Sequence, residues 1–319
     1  MPSRRERVGG GFTGHLVADA LGVPYEGREA HELPPPERLD MTPPFGFARS
    51  HADVPPGTWS DDGSMFLCLL ASLLERNGAF NPDDFGGRLV AWKRDGYLAV
   101  DGRVFDVGLQ TATAISRIAA GTPASGAGTT DVAGNGAGAL LRALAVALAA
   151  RGDDRALVDV SHRQSRVTHA HPVSETCCAF YALWARRTLD GAADPWAEAA
   201  ATLRRLYVSD PTRAKVIEEE IRPEEFVAGC GSSYAVDALR SARWAVAQGP
   251  YETAVRSAVA CGGDTDAVAS LAGGVAGLRD GLAAIPHRWI DALRGRALCE
   301  PLLARLLNEP ALTGESARG

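Results

Sequence analysis

Apolar residues recur three and four positions apart along most of the chain. Between Asp62 and Leu74 they fall at Met65, Phe66, Leu69, Leu70, Leu73 and Leu74, which is the spacing of one helix face. Asn135 to Ala150 repeats it with Leu140, Leu141, Leu144 and Leu148. Glu175 to Leu189, Tyr234 to Ala247, Tyr251 to Ala260 and Asp264 to Leu278 follow the same period. Alternating β-branched runs are scarce, and there is no strand–helix–strand rhythm. The pattern predicts an all-α fold, a compact multi-helix bundle.

Two stretches interrupt the helical period. Leu33 to Pro56 holds Pro34, Pro35, Pro36, Pro43, Pro44, Pro55 and Pro56, which rules out regular helix and predicts a long ordered or lid-like loop. Ala120 to Gly138 is rich in glycine and small residues. It reads either as a linker between two domains or as a loop whose backbone can approach a ligand at a helix start. No fixed-period repeat is present. The expectation is a single domain over residues 1–319, with loose tails at 1–8 and 312–319.

Composition narrows the function. Of the 319 residues, 46% are hydrophobic and 23% charged, as in a globular protein. The net charge of −6 argues against a stable nucleic-acid partner, which would ask for a basic face. The six cysteines form no C-x-x-C pair and are expected as buried or idle thiols. No apolar run reaches the length of a membrane span, so no membrane partner is expected. A monomer in the cytoplasm is the expectation.

Carboxylate pairs stand out at two predicted helix starts. Ser60-Asp61-Asp62 opens the first long apolar helix, where one N-cap would suffice and adjacent like charges repel. Gly263-Asp264-Thr265-Asp266 opens another. Each reads as capping or as half of a metal site. All-oxygen donors suit Mg²⁺, Mn²⁺ or Ca²⁺ rather than zinc, and if the two meet there is room for two ions. Asp19 lies inside an apolar helical stretch and needs a partner there, and Glu26 follows at its exit. Gly134-Asn135-Gly136-Ala137-Gly138 could be an anion nest or a turn. His169 and His171, just before Pro172, could line a pocket or cap a helix.

In this order the pieces resemble the ADP-ribosylglycohydrolase family. Its G-x-x-x-G-D-A-L-G-x-P-x-E resembles Gly14 to Glu26, and its T-D-D-T-x-M resembles Ser60 to Met65. Its W-Y-x-x-G-Y and F-D-I-G-x-x-T resemble Trp92 to Tyr97 and Phe105 to Thr111. Its G-N-G-x-x-M-R resembles Gly134 to Arg142, its L-T-H-x-H-P Val167 to Pro172, and its G-D-T-D-T-x-A Gly263 to Ala269. The resemblance implies an all-α fold with a binuclear Mg²⁺ or Mn²⁺ cleft held by Ser60, Asp61, Asp62, Asp264 and Asp266. It implies ADP-ribose bound with its distal ribose at the metals, the Asn135, Gly136, Ala137 and Gly138 backbone at the pyrophosphate, His169 flanking the adenosine end and Gly108 beside the ribose. Glu26 would stand near the scissile bond, with Glu26 and Asp62 as catalytic residues.

The departures are Ser60, Gly63 and Ala267 where the family motifs have threonine, Ala18 where they have glycine, and Leu141 where they have methionine. Ala267 removes one oxygen from the implied ligand set. The leading expectation is a metal-dependent hydrolase that frees ADP-ribose from a modified protein, nucleic acid or nucleotide by cleavage at C1″ of the distal ribose. A weakened ADP-ribose-binding or partner-binding relative, and a two-metal phosphohydrolase releasing AMP, are the alternatives. The acceptor is left open, with the Leu33 to Pro56 loop as its candidate selector.

Overall fold

The computed structural model describes residues 1–308. The expected loose tail 312–319 lies outside the described residues. Within them the chain is helical and contains no β-strand, only isolated bridges. The helices are α1 (Arg4–Gly22), α2 (Asp61–Glu75), α3 (Pro82–Asp95), α4 (Leu109–Ala119), α5 (Gly138–Leu141), α6 (Leu144–Ala149), α7 (Asp154–Arg166) and α8 (Pro172–Asp190). They continue with α9 (Pro195–Leu206), α10 (Pro211–Lys215), α11 (Ala235–Ala247), α12 (Tyr251–Val259), α13 (Thr265–Asp280), α14 (His287–Ala292) and α15 (Arg296–Leu307). None of them is long and apolar enough to cross a membrane.

The antiparallel pair α1 and α13 forms the centre, and both helices are buried along most of their length. Their glycines explain how closely they approach. A Cβ on Gly10 would stand 2.2 Å from the Gly277 carbonyl oxygen, and one on Gly14 would stand 2.7 Å from that of Gly273. Small residues four apart let two backbones touch, so dispersion contacts replace side-chain interdigitation. The contact continues to the far end of α1, where a Cβ on Gly22 would stand 2.4 Å from the Cα of Asp266. The Thr265 hydroxyl donates to the Gly22 carbonyl at 2.9 Å. The end of α1 is thereby fixed against the start of α13.

Three expectations are corrected here. The N-terminus is helical from Arg4, because Ser3 and Glu6 form a reciprocal capping box and Arg7 donates to the Thr188 carbonyl. The stretch Asn135 to Ala150 is two short helices, since i→i+3 bonds from Ala143 to Leu140 and from Ala145 to Arg142 tighten the turn between them. The glycine-rich stretch is not a linker. Gly128 and Thr129 donate to the Arg166 and Thr168 carbonyls, and Ala170 donates back to Thr129. Among the thiols, Cys68, Cys177, Cys178 and Cys299 are buried, while Cys230 is exposed.

The proline-rich loop is ordered by its own anchors. Leu39, Met41 and Val54 are buried. The Tyr25 hydroxyl donates to the Asp40 carbonyl, and the Trp289 indole donates to the Asp40 carboxylate at 2.7 Å.

Candidate active site

Helices α1, α2 and α13 meet at one end: a buried carboxylate joins α1 to α2, and the Thr265–Gly22 bond joins α1 to α13. Asp19, fully buried in α1, accepts the Ser60 amide at 3.0 Å and the Gly63 amide at 2.7 Å. It thus supplies from another helix the acceptors that the first turn of α2 needs. Burial pushes its carboxyl up to about 7, against the pull of these amide bonds. Ser60 is the N-cap of α2, its hydroxyl accepting the Asp62 amide at 3.2 Å. With capping done by Asp19 and Ser60, neither Asp61 nor Asp62 is needed for it. Both are buried, and burial followed by neighbouring carboxylates raises both well above the usual range.

The start of α13 answers in the same way. Asp264 occupies the N-cap position but makes no capping bond with its side chain. Its amide donates to the Gly231 carbonyl at 2.9 Å. Burial, then Asp106, raises its carboxyl to about 6. Both carboxylate oxygens of Asp266 are buried and have no hydrogen-bond partner. Burial and the charges of Glu26 and Asp62 push it well above the usual range. Glu26 is locked to the same segment through its neighbours: Gly27 donates to the Gly263 carbonyl at 2.7 Å, and Gly263 donates to that of Arg28 at 2.7 Å. Ligand atoms of Glu26, Asp264 and Asp266 lie within 4.8 Å of one another.

These groups open on a cavity of about 250 Å³ lined by Glu26, Asp61, Asp62, Asp106 and Asp264, by Gly108, Gln110 and Thr111, and by Gly136, Ala137, Gly138 and His169. No lysine or arginine stands among its lining residues. Several carboxylates packed together without a basic partner repel one another, and a hard cation with oxygen ligands relieves that repulsion. The two orphaned oxygens of Asp266 fit the same group, because a buried carboxylate otherwise requires a donor.

The remaining candidates divide. Gly108 caps α4 beside open space, where a Cβ would meet only the Thr111 hydroxyl, at 3.9 Å. His169 is buried, with Thr168 Oγ1 at 2.8 Å from its Nδ1, and Thr168 accepts from the buried Arg142 guanidinium. Burial, then Arg142, lowers the imidazole to about 3, so it is neutral at pH 7. His171 is instead the N-cap of α8, accepting the Val173 amide. Asn135 does not line the cavity. Its amide group donates to the Val132 carbonyl, and its side-chain oxygen accepts from Ser174. The Ala137 amide is already given to the Ser233 carbonyl at 2.9 Å.

Sequence reasoning did not single out Asp106 or His51. Asp106 carries a left-handed φ of 52° and lies beside Glu26; its only signal was its place before Gly108 in Phe105-Asp106-Val107-Gly108. His51 approaches Glu26 at 2.5 Å from within the proline-rich loop.

A sequence profile described as ADP-ribosylglycohydrolase matches residues 1–316. The chain belongs to the ADP-ribosylglycohydrolase family. It is 28% identical to the ADP-ribosylarginine hydrolase Tri1 of Serratia proteamaculans (strain 568), over 90% of this chain and 75% of that one. It is 27% identical to the ADP-ribosyl-(dinitrogen reductase) glycohydrolase of Rhodospirillum rubrum, over 92% of each. A solved structure titled ADP-ribosylglycohydrolase-related protein complex superposes with a TM-score of 0.75 at 33% identity, covering 98% of this chain and 99% of that one. The all-α architecture is that of the family. Membership supports a glycohydrolase.

Proposed function

We propose that the protein is a metal-dependent ADP-ribosyl hydrolase that releases ADP-ribose from modified arginine by cleaving the N-glycosidic bond at C1″. The observation that carries this reading is the partnerless, fully buried carboxylate of Asp266 behind an acidic cavity. The arginine linkage draws on the similarity to the Serratia enzyme and on the cavity's charge, since a guanidinium is a cation and the wall facing it holds Glu26 and Asp106.

Ser60, Asp61, Asp62, Asp264 and Asp266 would hold two Mg²⁺ or Mn²⁺ ions, which when bound supply Lewis-acid assistance and orientation of the ribose hydroxyls. Ala267 leaves that ligand set one oxygen short of the family motif. Glu26 manages the proton. In the metal-free protein burial, then Asp106, raises its carboxyl to about 7. In the hydrolysis, water oxygen bonds to C1″, the C1″–N bond breaks, one water proton passes to Glu26, and the guanidine nitrogen recovers a proton as it leaves. Asp62 belongs to the reacting end of the same wall. The Gly136 and Gly138 backbone would bind the pyrophosphate and so position that bond, and His169 would flank the adenosine end; all three line the cavity. The enzyme is read as a monomeric, single-domain, cytoplasmic protein.

The test is release of intact ADP-ribose from an ADP-ribosylarginine peptide, with and without EDTA. Loss of turnover in EDTA and in Glu26→Gln is expected. Free AMP as the product would instead support a two-metal phosphohydrolase. Gly63 and Ala267 motivate a second reading, a binder without turnover. Tight ADP-ribose binding with no hydrolysis of arginine, serine or nucleic-acid linkages would favour it.

A further inference from the structure

Glu26 is held from two sides. On one side its backbone is tied to the start of α13, as described above. On the other, His51 Nε2 stands 2.5 Å from Glu26 Oε2, and the Ser50 hydroxyl donates to the Glu26 carbonyl. The Ser50 amide donates to the Pro24 carbonyl at 2.9 Å. All of these come from Leu33 to Pro56, the proline-rich loop.

His51 adopts a left-handed φ of 46°, a conformation that non-glycine residues avoid unless surrounding contacts enforce it. Those contacts are present. The His51 carbonyl accepts the Val54 amide at 2.7 Å, and the imidazole packs on Phe105 with ring centres 5.2 Å apart. Phe105 precedes Asp106, whose own φ of 52° is left-handed and whose carboxyl has an oxygen within 4.8 Å of ligand atoms of His51 and Glu26. Two strained residues from separate segments therefore converge on one carboxylate. The same loop is pinned at its other end, where Asp40 receives the Trp289 indole. A fixed path from Asp40 to His51 leaves the imidazole little freedom to turn away from Glu26.

We propose that His51 is the positioning residue of Glu26: its ring donates to the carboxylate, aims it into the cavity, and makes the order of the Leu33–Pro56 loop a condition of turnover. The proposal rests on Glu26 acting at the scissile bond. An acid displaced by about 1 Å from its working position loses on the order of a hundredfold in rate, while ground-state binding made elsewhere persists.

The test compares His51→Ala and His51→Gln with the wild-type holoenzyme on an ADP-ribosylarginine peptide. Gln can place an amide N–H near the position of the imidazole Nε2. Expected is a fall in kcat of about 10- to 100-fold for His51→Ala, with KM within about threefold, and recovery of most of the loss by His51→Gln. Unchanged kcat in His51→Ala, a change confined to KM, or a Gln variant no better than Ala overturns the proposal. The contact is read separately by trypsin cleavage after Arg49, followed by mass spectrometry. His51→Ala and Glu26→Ala should each accelerate it, and the double variant should be no faster than the faster single. Additive acceleration overturns the contact. If the wild type fails on the peptide, the arginine reading fails, whereas the proteolysis cycle still decides whether His51 holds Glu26.

Discussion

The carboxylate of Asp19 accepts the amide of Gly63 at 2.7 Å, and a Cβ on residue 63 would stand 2.7 Å from the same oxygen. The family motif has threonine at this position; here glycine lets α2 sit close to α1. A methyl group there would also press on Trp59 at 2.9 Å. Gly63→Ala should therefore lower stability by about 1–3 kcal/mol, the cost of overpacking a rigid site. Asp19→Asn leaves an NH₂ group facing a backbone N–H and should cost about 1–3 kcal/mol. Urea unfolding of both variants in EDTA checks this, and wild-type midpoints in both would show that the α1–α2 junction is loose.

The glycine contact between α1 and α13 gives a second expectation. Gly14→Ala puts a methyl group 2.7 Å from the Gly273 carbonyl oxygen and 2.8 Å from the Tyr251 ring. The helices must separate, at a cost of about 1–3 kcal/mol. Because α13 carries Asp266 and Glu26 follows shortly after the end of α1, Mn²⁺ affinity should weaken as well. Calorimetric titration of the variant measures this alongside its melting temperature.

Removing the buried charge of Asp266 should have opposite effects with and without metal. Its carboxylate has no donor in the protein, so Asp266→Asn should leave the metal-free protein as stable as wild type, or stabilise it by about 1 kcal/mol. Wild type should gain about 2.7 kcal/mol at a Mn²⁺ concentration of about a hundred times Kd, and the variant should lose most of that gain. Melting curves over a Mn²⁺ series report both. Equal metal-induced shifts in the two proteins would remove Asp266 from the ligand set.

His15 sets part of the acid limit of stability. Its Nδ1 bonds the Ser270 carbonyl at 3.0 Å, its Nε2 has no partner, and burial pushes the imidazole down to about 3. The unfolded chain binds this proton near the ordinary value of 6.5, so it holds more protons than the folded chain between 6.5 and about 3. The contribution is present above pH 6.5 and is lost as pH falls. His15→Gln, which keeps a donor for Ser270 but cannot titrate, should flatten the loss by about 2 kcal/mol between pH 6.5 and 5. The wild-type minus variant difference isolates this from the carboxylate cluster, whose raised values act in the opposite direction.

Much of the helical frame was legible because burial of one face imposes a local period. The 3–4 spacing marks α2, α8, α11, α12 and α13 to within a few residues. The first turn of α1 escaped it because Arg4, Arg5, Glu6 and Arg7 are polar, and what fixes them is a cap and a contact to Thr188, not an apolar stripe. The aspartate pairs were visible as an excess over capping. His51 was not, since nothing local distinguishes it from other loop residues, and Asp106 was marked only by its place before Gly108 in Phe105-Asp106-Val107-Gly108.

The sequence by itself determined the all-α class, the carboxylates at two helix starts, and the order of motifs that marks the family. Each of these is a property of neighbouring residues. Only the tertiary structure decided that Asp19 caps α2 from another helix, that Asp266 is left without a donor, and that a proline-rich loop brings His51 onto Glu26. The physical reason is that capping need, burial and hydrogen-bond supply depend on which segments the glycine contacts of α1 and α13 bring together across some 240 residues, and no local period records that.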